Sequence, residues 1–212
     1  GATRDGDVES VHSLSDMEDL DEQVRSGKTA LMYAAMNADA PIVEILIEAG
    51  ADPDVSDLLG WTALHYAADG QSATSILALE DSDANRLNSD DNTALMIAVN
   101  RTDADFESVE ALLQIGTNPN IRSELTGDTA LHMAARFANL AIVRALLNAG
   151  ARRSVRNAAG ELPIDVIGEA TSVTDEQRVQ LQNAMSGERP DRSGRNGPVI
   201  TKIGRASCRE RV

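Results

Sequence analysis

Three histidines, His12, His65 and His132, carry all the imidazole chemistry of the chain. Metal binding would need cysteines or further histidines at ligand spacing beside them, and the sequence places none there. Gly27-Lys28-Thr29 ends like a phosphate-binding loop. Glu22 stands where that loop needs its first glycine, so the backbone cradle for phosphate is excluded. Acidic pairs such as Asp21-Glu22 and Asp90-Asp91 recur along the chain and read as solvated surface. No run of alternating Asp and Asn closes with the Gly and Glu of a calcium loop. Asn100-Arg101-Thr102 matches a glycosylation sequon, which matters only in a secreted protein. Ser15, followed by Asp16 and Glu18, has the spacing of a helix capping box. No catalytic residue, metal site or cofactor is expected, and the chain is not expected to be an enzyme.

Two of the histidines sit inside a repeated string. Gly27-Lys28-Thr29-Ala30-Leu31 recurs as Gly60-Trp61-Thr62-Ala63-Leu64, as Asp91-Asn92-Thr93-Ala94-Leu95 and as Gly127-Asp128-Thr129-Ala130-Leu131. A weaker copy follows at Gly160-Glu161-Leu162-Pro163-Ile164. The equivalent positions Thr29, Thr62, Thr93, Thr129 and Leu162 are spaced by 33, 31, 36 and 33 residues. A fixed period of this size marks a stacked repeat architecture. In each unit a Thr precedes a short Ala-rich helix, as over Leu31 to Met36 and His132 to Phe137. After a break comes a second amphipathic helix, as over Ile42 to Ile47. That helix ends at Gly50, Gly116 or Gly150, suited to a left-handed cap, with Asp81 expected to take that role in the second full unit.

Composition agrees with small repeated helices. Of 212 residues, 42% are hydrophobic, 25% charged and only 2% aromatic, so the core must be built from Ala, Leu, Ile, Val and Met. A sandwich or barrel would be richer in aromatic and β-branched residues.

The motifs TALMYAA at 29–35, TALHYAA at 62–68, TALMIAV at 93–99 and TALHMAA at 129–135 resemble the ankyrin repeat, a module of a β-turn plus two helices. The resemblance covers about residues 1–186 and implies a mainly α solenoid of helix-turn-helix units with β-hairpin or turn fingers. It also implies that His65 and His132 bond the motif Thr and hold the finger. The sequence departs from the pattern in several places. Ala30, Ala63, Ala94 and Ala130 replace the motif Pro in these four copies, and Met32 and Met96 replace the motif His. Ala38 and Ala138 replace the Gly between helices. The second full unit is expected to lack two residues between its helices, and the third to gain two near Thr102-Asp103 and one near Leu125.

The expected organisation is a partial repeat at 1–26, then repeats at 27–59, 60–90 (short), 91–126 (with insertions) and 127–159. A degenerate capping repeat at 160–186 and a Gly-, Pro- and Arg-rich linker at 187–202 follow. Ala2 to Leu14 resembles the latter part of a repeat, so further repeats are expected upstream. Thr174-Asp175-Glu176-Gln177 reads as a helix start, with Val179, Leu181 and Met185 as its apolar positions. Residues 203–212 (IGRASCRERV) resemble a translated sequencing adapter. They contain the lone cysteine, Cys208, which then says nothing about compartment.

Formal net charge is −15, and residues 1–120 hold 24 acidic groups against 5 basic ones. Residues 121–186 balance at 7 of each, with Arg152, Arg153 and Arg156 clustered. Such a field repels nucleic acid and anionic membranes and favours a basic protein partner. No window approaches 18 uncharged apolar residues, so no membrane span is expected.

The resemblance implies that a partner docks on finger tips and first helices. Lys28, Leu58, Leu59, Trp61, Asn92 and Asp128 map to the fingers, and Met36, Arg101, Arg136 and Phe137 to first-helix ends. Leu58-Leu59-Gly60-Trp61 puts two Leu and the single Trp around a turn, where polar residues are the rule. Tyr33, Tyr66, Ile97 and Met133 share one motif column and are expected in the core.

The function expected is a non-catalytic scaffold or adaptor in the cytoplasm or nucleus, monomeric, binding a protein or peptide on its concave face. One alternative resembles the inhibitor ankyrin proteins that mask a basic transcription factor. Another is the targeting segment of a longer enzyme, receptor or channel. The run Gly127 to Phe137 is similar to the ankyrin segment of Notch-type receptors, mostly through generic motif residues.

Overall fold

Each motif Thr is extended and starts a helix. Thr29 and Thr93 accept from the backbone N–H of Met32 and Met96 at 3.3 and 3.2 Å. The first helices are α1 (Ala30–Met36), α3 (Ala63–Asp69), α5 (Ala94–Val99) and α7 (Ala130–Arg136). Their partners are α2 (Ala40–Glu48), α4 (Ala73–Ala78), α6 (Phe106–Gln114) and α8 (Leu140–Asn148), and α9 (Asp175–Ser186) closes the array. This is a computed structural model, and it describes residues 20–169 and 171–186. His12, Ser15, Ala2 to Leu14, the linker at 187–202 and the tail at 203–212 lie outside them.

First helices stack in one layer, α1 on α3, α3 on α5 and α5 on α7. Second helices stack in the other, α2 on α4, α4 on α6 and α6 on α8. Between the layers lies one continuous core of small and branched side chains, including Leu31, Leu64, Leu95, Leu131, Leu112 and Leu146. A seven-residue helix does not persist alone, so burial between neighbours sustains it. The chain ends in a polar-faced lid: Leu181 and Met185 of α9 are buried while Val179 is exposed. Thr174 and Gln177 cap that helix reciprocally, at 3.2 and 3.0 Å. In the last unit, turns replace a first helix, and the Gly168 N–H donates to Ala135 O at 3.0 Å.

The fingers are turns; no strand occurs among the described residues. Each closes by a bond across its base, Asp57 N to Trp61 O at 2.9 Å and Asn88 N to Asn92 O at 3.0 Å. They approach so closely that a Cβ on Gly27, Gly60 or Gly127 would meet the next finger's backbone at 2.8, 2.9 or 2.6 Å. In the third finger Asp91 takes that left-handed position with φ 57°. The finger after it is one residue longer, closing from Ser123 N to Asp128 O. A second set of bonds joins the loops after the outer helices. Asp21 accepts from Asp52 N, Asp54 from Asp83 N, Asn85 from Asn118 N and Asn120 from Arg152 N, all at 2.7 to 3.0 Å.

Two expectations are corrected here. The two-residue deletion in the second unit falls in its second helix, shortening α4 to six residues. The interhelix stretch Gly70 to Ser72 keeps the length of Asn37 to Asp39. Consequently Asp81 does not take a left-handed cap, because α4 ends a turn early at Leu79. Gly50, Gly116 and Gly150 do, with φ of 100°, 91° and 88°. Between the helices, Ala38, Gln71 and Ala138 adopt φ of 57°, 53° and 57°.

Candidate functional site

The fingers and first-helix ends form one face, and its foundation is the buried histidines. His65 Nδ1 lies 3.2 Å from Thr62 N and 2.9 Å from Thr62 Oγ1, and its Nε2 is 3.2 Å from Asn92 O. His132 repeats this with Thr129, at 3.2 and 2.9 Å, and Glu161 O at 3.2 Å. Because Nδ1 accepts from a backbone N–H, the proton belongs on Nε2, which donates to the following finger. Burial pushes both imidazoles below the ordinary value of 6.5. They are structural ties between repeats. No group of three His, Cys, Asp or Glu able to hold a metal occurs among the described residues.

Asp57 organises the second finger. One carboxylate oxygen accepts from the N–H groups of Leu59 and Trp61, both at 2.9 Å, and the other accepts from the Tyr66 hydroxyl at 2.6 Å. Burial, and then this bond, raises the Tyr66 phenol well above its ordinary value. Asn88 does the same for the third finger, accepting from Asp90 N and Asn92 N at 2.9 and 3.0 Å. Nine residues on, Ile97 supplies no hydroxyl, and the buried Asn88 Nδ2 has no hydrogen-bond partner.

On this frame the structure gathers Trp61, Asn92 and Arg101, which line a concavity of about 340 Å³ with Asp69, Ile97, Asn100 and Asp103. The Trp61 ring is 5.0 Å from that of Tyr66, tilted by 40°, and 6.0 Å from His65. Trp61 is therefore half-buried, one side packed on its own repeat. Leu58 and Leu59 project from the same turn, 76% and 62% exposed. Lys28 and Met36 meet, Nζ to Sδ 3.7 Å, and Lys28 lies over Tyr66.

The charged candidates are largely spoken for. Arg101 grips Asp103 through two bonds, at 2.7 and 3.3 Å, and donates to Asp69 O at 2.8 Å. That contact holds the Asp103 carboxyl below its ordinary value. Arg136 pairs with Asp128 at 3.0 Å and Glu169 at 3.3 Å. Asp128, expected at a tip, is only 3% exposed. It accepts from Asn157 of the next finger at 3.0 Å, so the tight finger stack buries it. Phe137 is half-buried at the end of α7 and stands apart from the Trp61 concavity.

Tyr33 and Ile97 correct the core expectation. Tyr33 is 38% exposed and lines a hollow with Ala30, Ala34, Ile42 and Leu46 of α1 and α2, where Ala30 is exposed while its equivalents Ala63, Ala94 and Ala130 are buried; Ile97 is half-buried at the Trp61 concavity. Tyr66 and Met133 are buried. A polar-tipped ring at that column in two successive units was the available signal.

A family model described as ankyrin repeats in three copies matches residues 1–86 and 70–157. The chain belongs to the ankyrin-repeat family. Ankyrin repeats generally mediate protein–protein interaction, and the family is typically non-catalytic. The chain is 28% identical to human B-cell lymphoma 3 protein over 232 aligned positions, covering 89% of this chain and 50% of that protein. It is 37% identical to the bovine mitochondrial disaggregase over 141 positions, 63% of this chain and 20% of the relative. With Danio rerio neurogenic locus notch homolog protein 1 it shares 33% over 142 positions, 66% of this chain and 6% of the relative. The chain thus spans half or less of the curated relatives it matches here. No helix among the described residues is long and apolar enough to cross a membrane.

Proposed function

We propose that this ankyrin array is a non-catalytic scaffold or adaptor whose protein partner docks on the finger tips and concave face around Leu58, Leu59 and Trp61. The observation that carries this is the exposure of two adjacent leucines, 76% and 62%, at a turn that Asp57 holds rigid. A water-exposed apolar pair on a preorganised turn can be buried by a partner with little ordering cost. The array acts in the cytoplasm or nucleus as a monomer. Since the chain spans only part of its relatives, the same face would serve a longer enzyme, receptor or channel as its targeting surface.

The test is the double variant Leu58→Ser with Leu59→Ser. Both side chains are surface groups, so helical content and melting should be unchanged while the immobilised chain loses its partner. Equal retention of the partner would move the docking site elsewhere. Trp61→Ala is a poorer probe, because Trp61 packs on Tyr66.

A second reading is an acidic regulator that masks a basic partner. Its support is the excess of 24 acidic over 5 basic groups in residues 1–120. Binding would then weaken steeply as salt rises; a flat salt response would refute it.

A further inference from the structure

The Lys28 ammonium lies 4.4 Å from the Tyr66 ring centroid and 5.7 Å from that of Tyr33. The Met36 sulfur is 3.7 Å away. None of the ion pairs among the described residues involves Lys28. This is in the half of the chain with the acidic excess, where carboxylates are the commonest polar groups. A lysine that settles on two tyrosine faces there marks them as a cation-holding surface, since the ring face carries negative quadrupole charge. Tyr33 is 38% exposed and Lys28 only half-buried, while Tyr66, 7% exposed, lies beneath Lys28 and against Trp61, so its ring is reached only when Lys28 leaves. Among the described residues Lys28 makes no directional bond to oxygen, so a competing cation can displace it without leaving a carboxylate of that set unpaired.

We propose that the Tyr33–Tyr66 surface takes a lysine side chain from a basic segment of the partner, and that Lys28 holds that place in the free protein. The proposal rests on the interaction reading above and adds the chemistry of the partner. Displaced, Lys28 swings into solvent, and the partner's ammonium takes over its ring contacts. The acidic half of the array supplies the long-range attraction and the rings supply the address.

Trp61 provides the readout. It is the single tryptophan of the chain, and its ring touches Tyr66 at 5.0 Å. The probe is a nonapeptide with three lysines spaced by Gly and Ser, set against the same peptide with norleucine for lysine. The lysine peptide should shift Trp61 fluorescence saturably, and the norleucine peptide should not. Lys28→Ala should tighten the lysine peptide by about 2–5-fold, because the resident ammonium no longer competes. Arg25→Ala removes equal charge from the same exposed finger and should tighten it less. Tyr33→Leu should weaken it by a similar factor with melting unchanged. The proposal is overturned if the norleucine peptide binds equally, if Trp61 does not respond, or if Lys28→Ala and Arg25→Ala act alike. Equal norleucine binding would leave the interaction face standing and remove only its cation preference. Loss of the Leu58/Leu59 effect with the lysine effects intact would do the reverse.

Discussion

The Tyr66 hydroxyl donates to the buried Asp57 carboxylate at 2.6 Å, across the base of the finger that carries Leu58 and Leu59. The same carboxylate receives two backbone N–H groups, so one side chain fixes both the finger and the ring beneath it. Asp57→Ala would orphan three donors at once. With bonds to a charged group near about 1.5 kcal/mol each, the loss should be about 4–5 kcal/mol in urea unfolding. Asp57→Asn should cost less, since Asn88 and Asn157 already accept finger N–H groups through an amide oxygen. Tyr66→Phe should cost about 1–2 kcal/mol. If Asp57→Ala unfolds like the parent protein, the finger is held by something else.

The two histidine ties make the array acid-sensitive. Burial lowers both folded-state pKa values below the ordinary 6.5. As pH falls, the unfolded chain therefore takes up protons before the folded one does. Their contribution to stability is intact above the ordinary value and is lost progressively below it. The melting temperature should drop between about pH 7 and about pH 5, the range of an unperturbed imidazole. Replacing both His65 and His132 with Gln should flatten that part of the curve. An unchanged slope would show that carboxylates govern the acid limb.

Ala38 and Ala138 occupy left-handed backbone, each with φ 57°. There the alanine Cβ crowds the following carbonyl, a cost of about 1–2 kcal/mol. Glycine avoids that clash but carries extra unfolded-state entropy of about 0.5–1 kcal/mol. Ala38→Gly and Ala138→Gly should each therefore stabilise by up to about 1 kcal/mol in denaturant titration. Ala38→Gly is the cleaner measurement, because Ala38 is exposed while Ala138 packs against the core. Destabilisation would mean that the Cβ makes packing contacts worth more than the strain.

The repeat was legible because its signals are local. A Thr, an Ala-rich turn of helix and a closing Gly recur at a fixed period, and each element needs only its own residues to be recognised. Thr62 and His65 lie within one copy of the motif, so the family resemblance implied the histidine role. The candidate site was less legible. Asp128 looks like a finger-tip acid, yet Asn157 and Arg136 enclose it. Tyr33 looks like core, yet it is 38% exposed beside Lys28. The deletion assigned to the interhelix turn belongs to α4 instead, since several placements satisfy the same length.

The sequence by itself therefore determined the architecture, the capping chemistry and the strongly acidic first half. Those follow from periodicity and composition, which the chain carries without folding. Only the tertiary structure decided which side chains of that repeat face solvent. Stacking brings positions about one repeat apart into contact, Lys28 over Tyr66 and Asp128 against Asn157. Whether such a pair buries a charge or exposes a ring depends on how closely neighbouring fingers approach, and no single repeat encodes that distance.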